Sequence, residues 1–95
     1  MDQATKQLIR STKQILKNNG VIKAGLFGSF ARGEATKSSD VDLLIEFCGR
    51  RSLLELAGLK IQLEEKLHRK VDLVTYRSIH PRLRKQILHE EVKIL

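Results

Sequence analysis

Residues 24–47 read AGLFGSFARGEATKSSDVDLLIEF, and they contain the patterns from which the fold is predicted. Its first four residues are a short apolar run that predicts a β-strand, and the Gly-Ser pair after them predicts a tight turn. Residues 29–34 predict a brief helix that ends at Gly33. Residues 41–47 alternate between two faces, with the odd-numbered positions all apolar, which is the period of a strand with one buried face.

The flanking sequence predicts three longer helices and a third strand: a helix over residues 3–18, a helix over 52–69, a strand over 71–75 and a helix from 81 to about 94. Asn18-Asn19-Gly20 ends the first helix, Ser52 is a candidate N-cap of the second, and Pro81 suits the first turn of the last. We therefore expect a mixed α/β (α+β) fold, a small mixed sheet with helices on one face, in a single domain over residues 1–95.

The composition is typical of one compact globular domain, with 95 residues, 41% apolar and 31% charged. A single cysteine, Cys48, excludes a disulfide framework within the chain. No apolar run approaches the roughly 18 residues that a membrane span needs. The first residues lack the basic-then-apolar layout of a secretory signal. We therefore expect a cytoplasmic protein that does not associate with membranes.

The net charge of +7 indicates an anionic partner without specifying it. Nucleic acid, nucleotide phosphates and an acidic protein surface all remain open, and a merely solvated basic surface is an equal alternative. Three Phe and one Tyr are few aromatic residues for the stacking platform of a single-stranded nucleic-acid binder.

Two aspartates, Asp40 and Asp42, lie two positions apart at the start of the predicted strand over residues 41–47. Side chains at this spacing point the same way, so their carboxylates can share one hard divalent cation or bridge two ions about 3.5–4 Å apart. Mg²⁺ suits such a site, because it takes few carboxylates and keeps water and phosphate oxygens as its other ligands. A solvated strand edge or a turn is the alternative, but aspartate is disfavoured in strands.

The Gly28-Ser29 pair directly follows the first predicted strand, with Arg32 one turn later. A glycine lets the backbone approach a phosphate closely, and backbone N–H groups at a helix start attract anions. Ser29 adds a hydroxyl, and Arg32 can reach a phosphate oxygen. An ordinary strand–turn–helix with Ser29 as N-cap is the alternative. Combined with Asp-x-Asp twelve residues later, the pair predicts a triphosphate cradle that faces a metal site.

The combined pattern Gly-Ser, Ala-Arg-Gly and Ser-Asp-x-Asp-Leu resembles the nucleotidyltransferase superfamily that shares the DNA polymerase β palm-like fold. Within it, the short length and the Gly-Ser-x-Ala-Arg-Gly form resemble the minimal nucleotidyltransferases (MNT), the antitoxin halves of prokaryotic HEPN/MNT toxin–antitoxin pairs. The resemblance is sharpest over residues 24–47 and continues more weakly to about residue 76.

The resemblance implies that Gly28 and Ser29 bind the triphosphate of ATP and that Asp40 and Asp42 hold Mg²⁺, as two ions. The family has a third acidic residue on a later strand, and Asp72 matches that place. The three aspartates are then the catalytic and metal-binding residues. By resemblance alone, the acceptor is a hydroxyl, that of a tyrosine, on a partner HEPN ribonuclease toxin that AMP transfer neutralises.

Three alternatives differ from this function. The chain is an antitoxin that neutralises its toxin by binding alone, a nucleotidyltransferase with another acceptor, or a small basic nucleic-acid-binding protein. The last leaves the acidic strand face unexplained, so direct nucleic-acid binding is not expected. A chain this short cannot enclose a nucleotide and also hold an acceptor, so we expect a partner chain or a second copy to complete the pocket.

Overall fold

The computed structural model describes residues 3–95 of the chain. Its helices and strands, in chain order, are α1 (Gln3–Asn18), β1 (Val21–Phe27), α2 (Gly28–Ala31), β2 (Val41–Phe47), α3 (Leu53–Leu67), β3 (Val71–Thr75), α4 (Pro81–Glu90) and β4 (Val92–Lys93). A single 3₁₀ turn, Tyr76–Ser78, joins β3 to α4 within this part of the chain.

The strands of the described residues form one sheet in the order β3-β2-β1-β4. β1 is antiparallel to both β2 and β4, whereas β2 and β3 are parallel. Parallel strands need a long crossover, which α3 provides. The sheet is therefore mixed, as the sequence predicted.

One face of the sheet packs against α1 and α3 and forms the main core. Val41, Leu43 and Ile45 of β2 are completely buried there, and Leu16 of α1 and Leu63 of α3 meet them from the helical layer. Because these are the alternate apolar positions of β2, the strand period alone places them on the core face. The prediction of helices covering one face is confirmed for α1 and α3 but is wrong for α4, which packs against the opposite face through Ile87.

The opposite face carries a second, smaller apolar cluster. Leu44, Tyr76 and Ile79 are buried in it, and Ile87 of α4 packs against them. Helix α4 contributes no fully buried residue. It therefore rests lightly on the face of β2 that also carries Asp42.

The C-terminal segment differs from the prediction. The last helix ends at Glu90 rather than near residue 94, because Glu91 adopts an extended conformation (φ −58°, ψ 135°). Val92 and Lys93 then pair with Leu26 and Gly25 as β4. The edge of β1 would otherwise present unpaired backbone groups, and this pairing satisfies them at the expense of another helical turn.

The other element boundaries agree closely with the predictions. Helix α1 and strands β2 and β3 have the predicted ends, and Ser52 caps α3 by accepting a 3.1 Å hydrogen bond from the Glu55 N–H. Strand β1 begins at Val21, three residues before the predicted start. Of the helices within residues 3–95, none has the length and apolar character required to cross a membrane.

Candidate active site

The turn after β1 and the start of β2 are in direct contact. Gly28 opens α2 with φ +71°, in the left-handed region, and a Cβ atom there would lie 2.2 Å from Asp42 Oδ2. A Cβ atom at that distance would displace the Asp42 carboxylate, so glycine permits both the backbone angle and the close approach of the carboxylate. The predicted phosphate-binding turn and the predicted metal-binding strand are therefore adjacent.

Asp42 and Asp72 are direct partners in the parallel pairing of β2 and β3. Asp72 and Asp40 are exposed, whereas Asp42 is half-buried between them and Gly28. Asp40 immediately precedes β2. The structure therefore places the three sequence-predicted carboxylates at one end of two neighbouring strands.

The three carboxylates influence one another electrostatically. Burial raises the pKa of Asp42, and the negative charges of Asp72 and Asp40 raise it further, while the Arg32 guanidinium opposes them. A raised carboxyl pKa means that the ionised form is disfavoured in the folded protein. A bound cation would remove this conflict.

Arg32 lies close enough to Asp42 to lower its pKa, but its guanidinium is already paired. It contacts Glu34 at 3.2 Å and Glu90 of α4 at 3.4 Å; Arg32 and Glu34 are exposed, and Glu90 is half-buried. Arg32 therefore has to exchange these exposed ion pairs for a phosphate oxygen if it binds nucleotide, an exchange of contacts that are worth little in water.

Ser29 lies inside the short helix rather than at its start. Phe27 occupies the N-cap position of α2, without a side-chain cap hydrogen bond, and the Ser29 carbonyl accepts from the Glu34 N–H at 2.9 Å. The alternative of Ser29 as N-cap is therefore wrong, and the role of its hydroxyl in nucleotide binding stays a prediction.

The donor chemistry of the site fits Mg²⁺, although its side chains do not form a preformed cage. Among the described residues, no three His, Cys, Asp or Glu side chains are arranged to hold a metal ion. Mg²⁺ is usually bound by one or two carboxylates, with substrate phosphates and waters completing its shell. Three mutually repelling carboxylates beside a turn that admits close backbone approach match that requirement. The metal assignment of Asp40, Asp42 and Asp72 stays a prediction.

A family model described as "Nucleotidyltransferase domain" matches residues 6–94. The chain belongs to the nucleotidyltransferase domain family. A Methanocaldococcus jannaschii relative of this nucleotidyltransferase, named as a protein adenylyltransferase, is 47% identical over 89 residues, 94% of this chain and 96% of the relative. The protein adenylyltransferase MntA of Thermococcus cleftensis is 40% identical over 82 residues, 86% of this chain and 83% of MntA.

Solved structures agree with this family membership. One, described as a minimal nucleotidyltransferase, is 40% identical to this chain with a TM-score of 0.81, covering 97% of this chain and 95% of its own. A complex of a tri-AMPylated Shewanella oneidensis HEPN toxin with MNT antitoxin contains a chain of the same fold. That chain is 20% identical, with a TM-score of 0.76 and coverage of 96% and 71%. The predicted membership of the minimal nucleotidyltransferases is confirmed.

Two features of this nucleotidyltransferase lie outside the sequence motifs. Glu34 and Glu90 hold Arg32, and only Glu34 is near it in sequence. The second feature is a groove of about 810 Å³ at the far end of β2, where Leu53 is 85% exposed and the neighbouring Leu54 is 83% exposed. The sequence signal for an apolar surface there is the second apolar edge of the helix, Leu54, Ala57 and Ile61, which exceeds what a single buried stripe needs.

Proposed function

We propose that this nucleotidyltransferase is a Mg²⁺-dependent protein adenylyltransferase that acts as an antitoxin. It transfers AMP from ATP to a tyrosine hydroxyl of a partner HEPN toxin. The observation that carries the proposal is the pairing of Asp42 with Asp72, with Gly28 directly against the Asp42 carboxylate. The names of the two relatives and the AMPylated toxin in the Shewanella oneidensis complex support the donor and the acceptor.

Each residue of the site has a separate role in an in-line transfer. The acceptor oxygen forms a bond to the α-phosphorus of ATP, the bond from that phosphorus to the bridging oxygen breaks, and pyrophosphate leaves. The backbone at Gly28 and the Ser29 hydroxyl hold the triphosphate, and Arg32 neutralises part of its charge. Asp72, which is exposed, takes the proton of the acceptor hydroxyl.

Asp40, Asp42 and Asp72 would hold the metal. When bound, Mg²⁺ supplies charge neutralisation at the attacking and leaving oxygens. The raised pKa of Asp42 supports this role, because three carboxylates at one place are unfavourable until a cation joins them.

The site is open, which supports the participation of a second protein. Asp40 and Asp72 are exposed at the strand ends, and the described chain has a radius of gyration of only 12.5 Å. A tyrosine presented by a partner would meet the carboxylates from the solvent side. Adenylylation of a protein, rather than of a small molecule, fits a site that the described residues leave open to solvent.

The test is transfer to a HEPN toxin chain, the class of protein that is AMPylated in the Shewanella oneidensis complex. The two purified chains are incubated with ATP and Mg²⁺, and the partner is measured by intact mass. We expect gains of about 329 Da, the mass of one AMP added by in-line transfer. Asp40→Asn and Asp42→Asn should bind the partner without changing its mass. Glu46→Gln is the matched control, because Glu46 is an exposed acidic residue on the same strand.

Neutralisation by occlusion is the competing function, and the exposed leucines Leu53 and Leu54 favour it as a docking surface. Under occlusion, the Asp42→Asn protein would silence the toxin as completely as the wild type does. Under adenylylation, the toxin stays inactive after it has been separated from the wild-type antitoxin. Separation of the chains therefore distinguishes the two functions.

A further inference from the structure

The position of Asp40 depends on the segment before β2, because Asp40 is not part of the strand. Asp40 is exposed and lies outside the strand pairing, which begins at Val41. Residues 36–39 form a turn in which the Ser39 N–H donates to the Thr36 carbonyl at 3.2 Å, and the Ser39 hydroxyl accepts from the Thr36 N–H at 2.8 Å. This turn is local and largely exposed, so another contact has to fix it to the rest of the protein.

Arg69, in the connection between α3 and β3, makes that contact. Its Nη1 donates to the carbonyl oxygens of Thr36, Lys37 and Ser39 at 2.9, 3.2 and 3.1 Å. The third of these carbonyls belongs to the peptide bond that joins Ser39 to Asp40. Arg69 therefore fixes the orientation of the peptide from which Asp40 projects.

Arg69 is itself held in place. Its guanidinium lies over the ring of buried Phe30, 5.0 Å from the ring centroid. On its C-terminal side, the Lys70 carbonyl accepts from Val41 N–H at 2.9 Å, and Val71 N–H donates to Glu64 Oε2 at 2.9 Å. The same residue thus connects the helix after Gly28, the turn before Asp40 and the start of β3.

The chemistry of these contacts calls for an arginine. Three carbonyl dipoles that converge on one point repel one another, and a cation between them removes the repulsion. A planar guanidinium can donate to them and stack on an aromatic ring at the same time. A lysine ammonium supplies the charge but not the stacking.

We propose that Arg69 is a positioning residue for Asp40, and hence for the Mg²⁺ that Asp40 would help to bind. This inference rests on the proposed function, because it assigns Arg69 to the same metal site. Partners that orient metal ligands typically change metal affinity or activity by about 10- to 100-fold when they are removed. We therefore expect Arg69→Gln to raise the Mg²⁺ concentration needed for ATP binding by about 10- to 100-fold.

The experiment measures the increase in melting temperature that ATP causes, as a function of Mg²⁺ concentration. Arg69→Gln should shift the Mg²⁺ midpoint upward, and Arg69→Lys should fall between it and the wild type. Arg10→Gln is the charge-matched control, because Arg10 is an exposed residue of α1, away from the carboxylates. Its Mg²⁺ midpoint should equal that of the wild type. Backbone hydrogen exchange at residues 36–40 should accelerate in Arg69→Gln alone.

The outcomes separate the two proposals. If Arg69→Gln lowers the melting temperature but leaves the Mg²⁺ midpoint unchanged, Arg69 is only structural and the inference is wrong while the proposed function stands. If the wild type itself shows no Mg²⁺-dependent effect of ATP, both are wrong. Should Arg69→Gln fail to fold, the Mg²⁺ midpoint of Arg69→Lys decides, and equality with the wild type overturns the inference.

Discussion

The two faces of the central sheet use the same strand for opposite purposes. On the helical face, Val41, Leu43 and Ile45 of β2 are completely buried in the main core. On the other face, Asp42 stands among negative charges that raise its pKa, and only a small apolar cluster around Leu44 lies nearby. Adjacent residues of one strand therefore serve the stability of the fold and the chemistry of the site separately.

This division shows how a chain of 95 residues carries an unfavourable site. The core face supplies the hydrophobic stabilisation, about 1.5–3 kcal/mol for each large side chain that is fully buried. The other face can then hold carboxylates whose mutual repulsion destabilises the protein. If the two faces are independent, substitutions on them should affect stability and activity separately.

The largest expected effect is the loss of AMP transfer in the Asp42→Asn variant. We expect AMP transfer to fall at least about 1000-fold, because stabilisation of the transition-state charge by a correctly held metal is worth several kcal/mol. The melting temperature should stay equal or rise, because the substitution removes a carboxylate whose ionised form is disfavoured in the fold. Single-turnover rates and thermal unfolding of the same preparation provide the measurement. A melting temperature lower by about 5 °C or more would contradict the separation of the faces.

Leu43→Ala should have the opposite profile. Leu43 has 0% exposure in the main core, so its truncation should cost about 2–5 kcal/mol of unfolding free energy. The ATP affinity of the folded protein should stay unchanged, because Leu43 points away from the carboxylates. Urea denaturation measures the first quantity and calorimetry at low temperature the second. Glu46→Gln on the same strand should remain within about 0.5 kcal/mol of the wild type.

Two glycines allow backbone strain to be separated from crowding of the site. Gly28 and Gly33 both have positive φ, 71° and 73°, so alanine at either should cost about 1–2 kcal/mol. A Cβ at Gly28 meets Asp42 Oδ2, whereas one at Gly33 has nothing within 4 Å. We expect Gly28→Ala alone to abolish the ATP-induced rise in melting temperature. Equal loss of that rise in both variants would show that strain, not contact with Asp42, is responsible.

The smallest expected effect concerns the hydrogen bond between Tyr76 and Glu91. The Tyr76 hydroxyl donates to the Glu91 carboxylate, and Lys23 Nζ lies 4.4 Å from the centre of its ring. Tyr76→Phe should cost about 1.5 kcal/mol, the lower end for a hydrogen bond to a charged group, because Glu91 is only half-buried. Glu46→Gln again supplies the comparison, since Glu46 is nearby but is not a hydrogen-bond partner of Tyr76.

The pH dependence of the same variant gives a second readout. Burial, assisted by the hydrogen bond to Glu91, raises the pKa of the Tyr76 phenol well above its usual range. Its contribution to stability is therefore complete below about pH 10, where the unfolded chain's tyrosine ionises, and is lost as the pH rises further. The wild type should lose more stability than Tyr76→Phe between pH 8 and about pH 11, as measured by urea denaturation. Parallel curves would contradict the raised pKa.

Local sequence patterns predicted most of the fold. The alternation of β2, the cap at Ser52 and the short β-branched strand β3 each depend on neighbouring residues, so their limits agree with the structure. The fourth strand was missed because Val92 and Lys93 are too few to show a period, and their pairing depends on the distant edge of β1. Residues that follow a helical pattern are therefore predicted to continue the helix, and only their pairing with β1 makes them a strand.

The site shows the same limit. The motifs named the three aspartates and Gly28, but the identity of the residues that support them depends on contacts between distant parts of the chain. Arg69 lies about thirty residues from the turn it holds, and Glu90 lies 58 residues from Arg32. Neither belongs to a recognisable pattern, since a charged residue beside a strand or at a helix end is most often solvated.

The parallel register of β2 and β3 has a consequence for how such chains can diverge. Asp42 faces Asp72 because the Lys70 carbonyl accepts from the Val41 N–H, only two residues before Asp72. Insertion or deletion of one residue between His68 and Lys70 would move every later side chain of β3 to the opposite face. Asp72 would then enter the apolar layer and Leu73 would face solvent. The connection between α3 and β3 should therefore tolerate changes of residue type at an exposed position such as Lys70, while its length stays constant among active descendants.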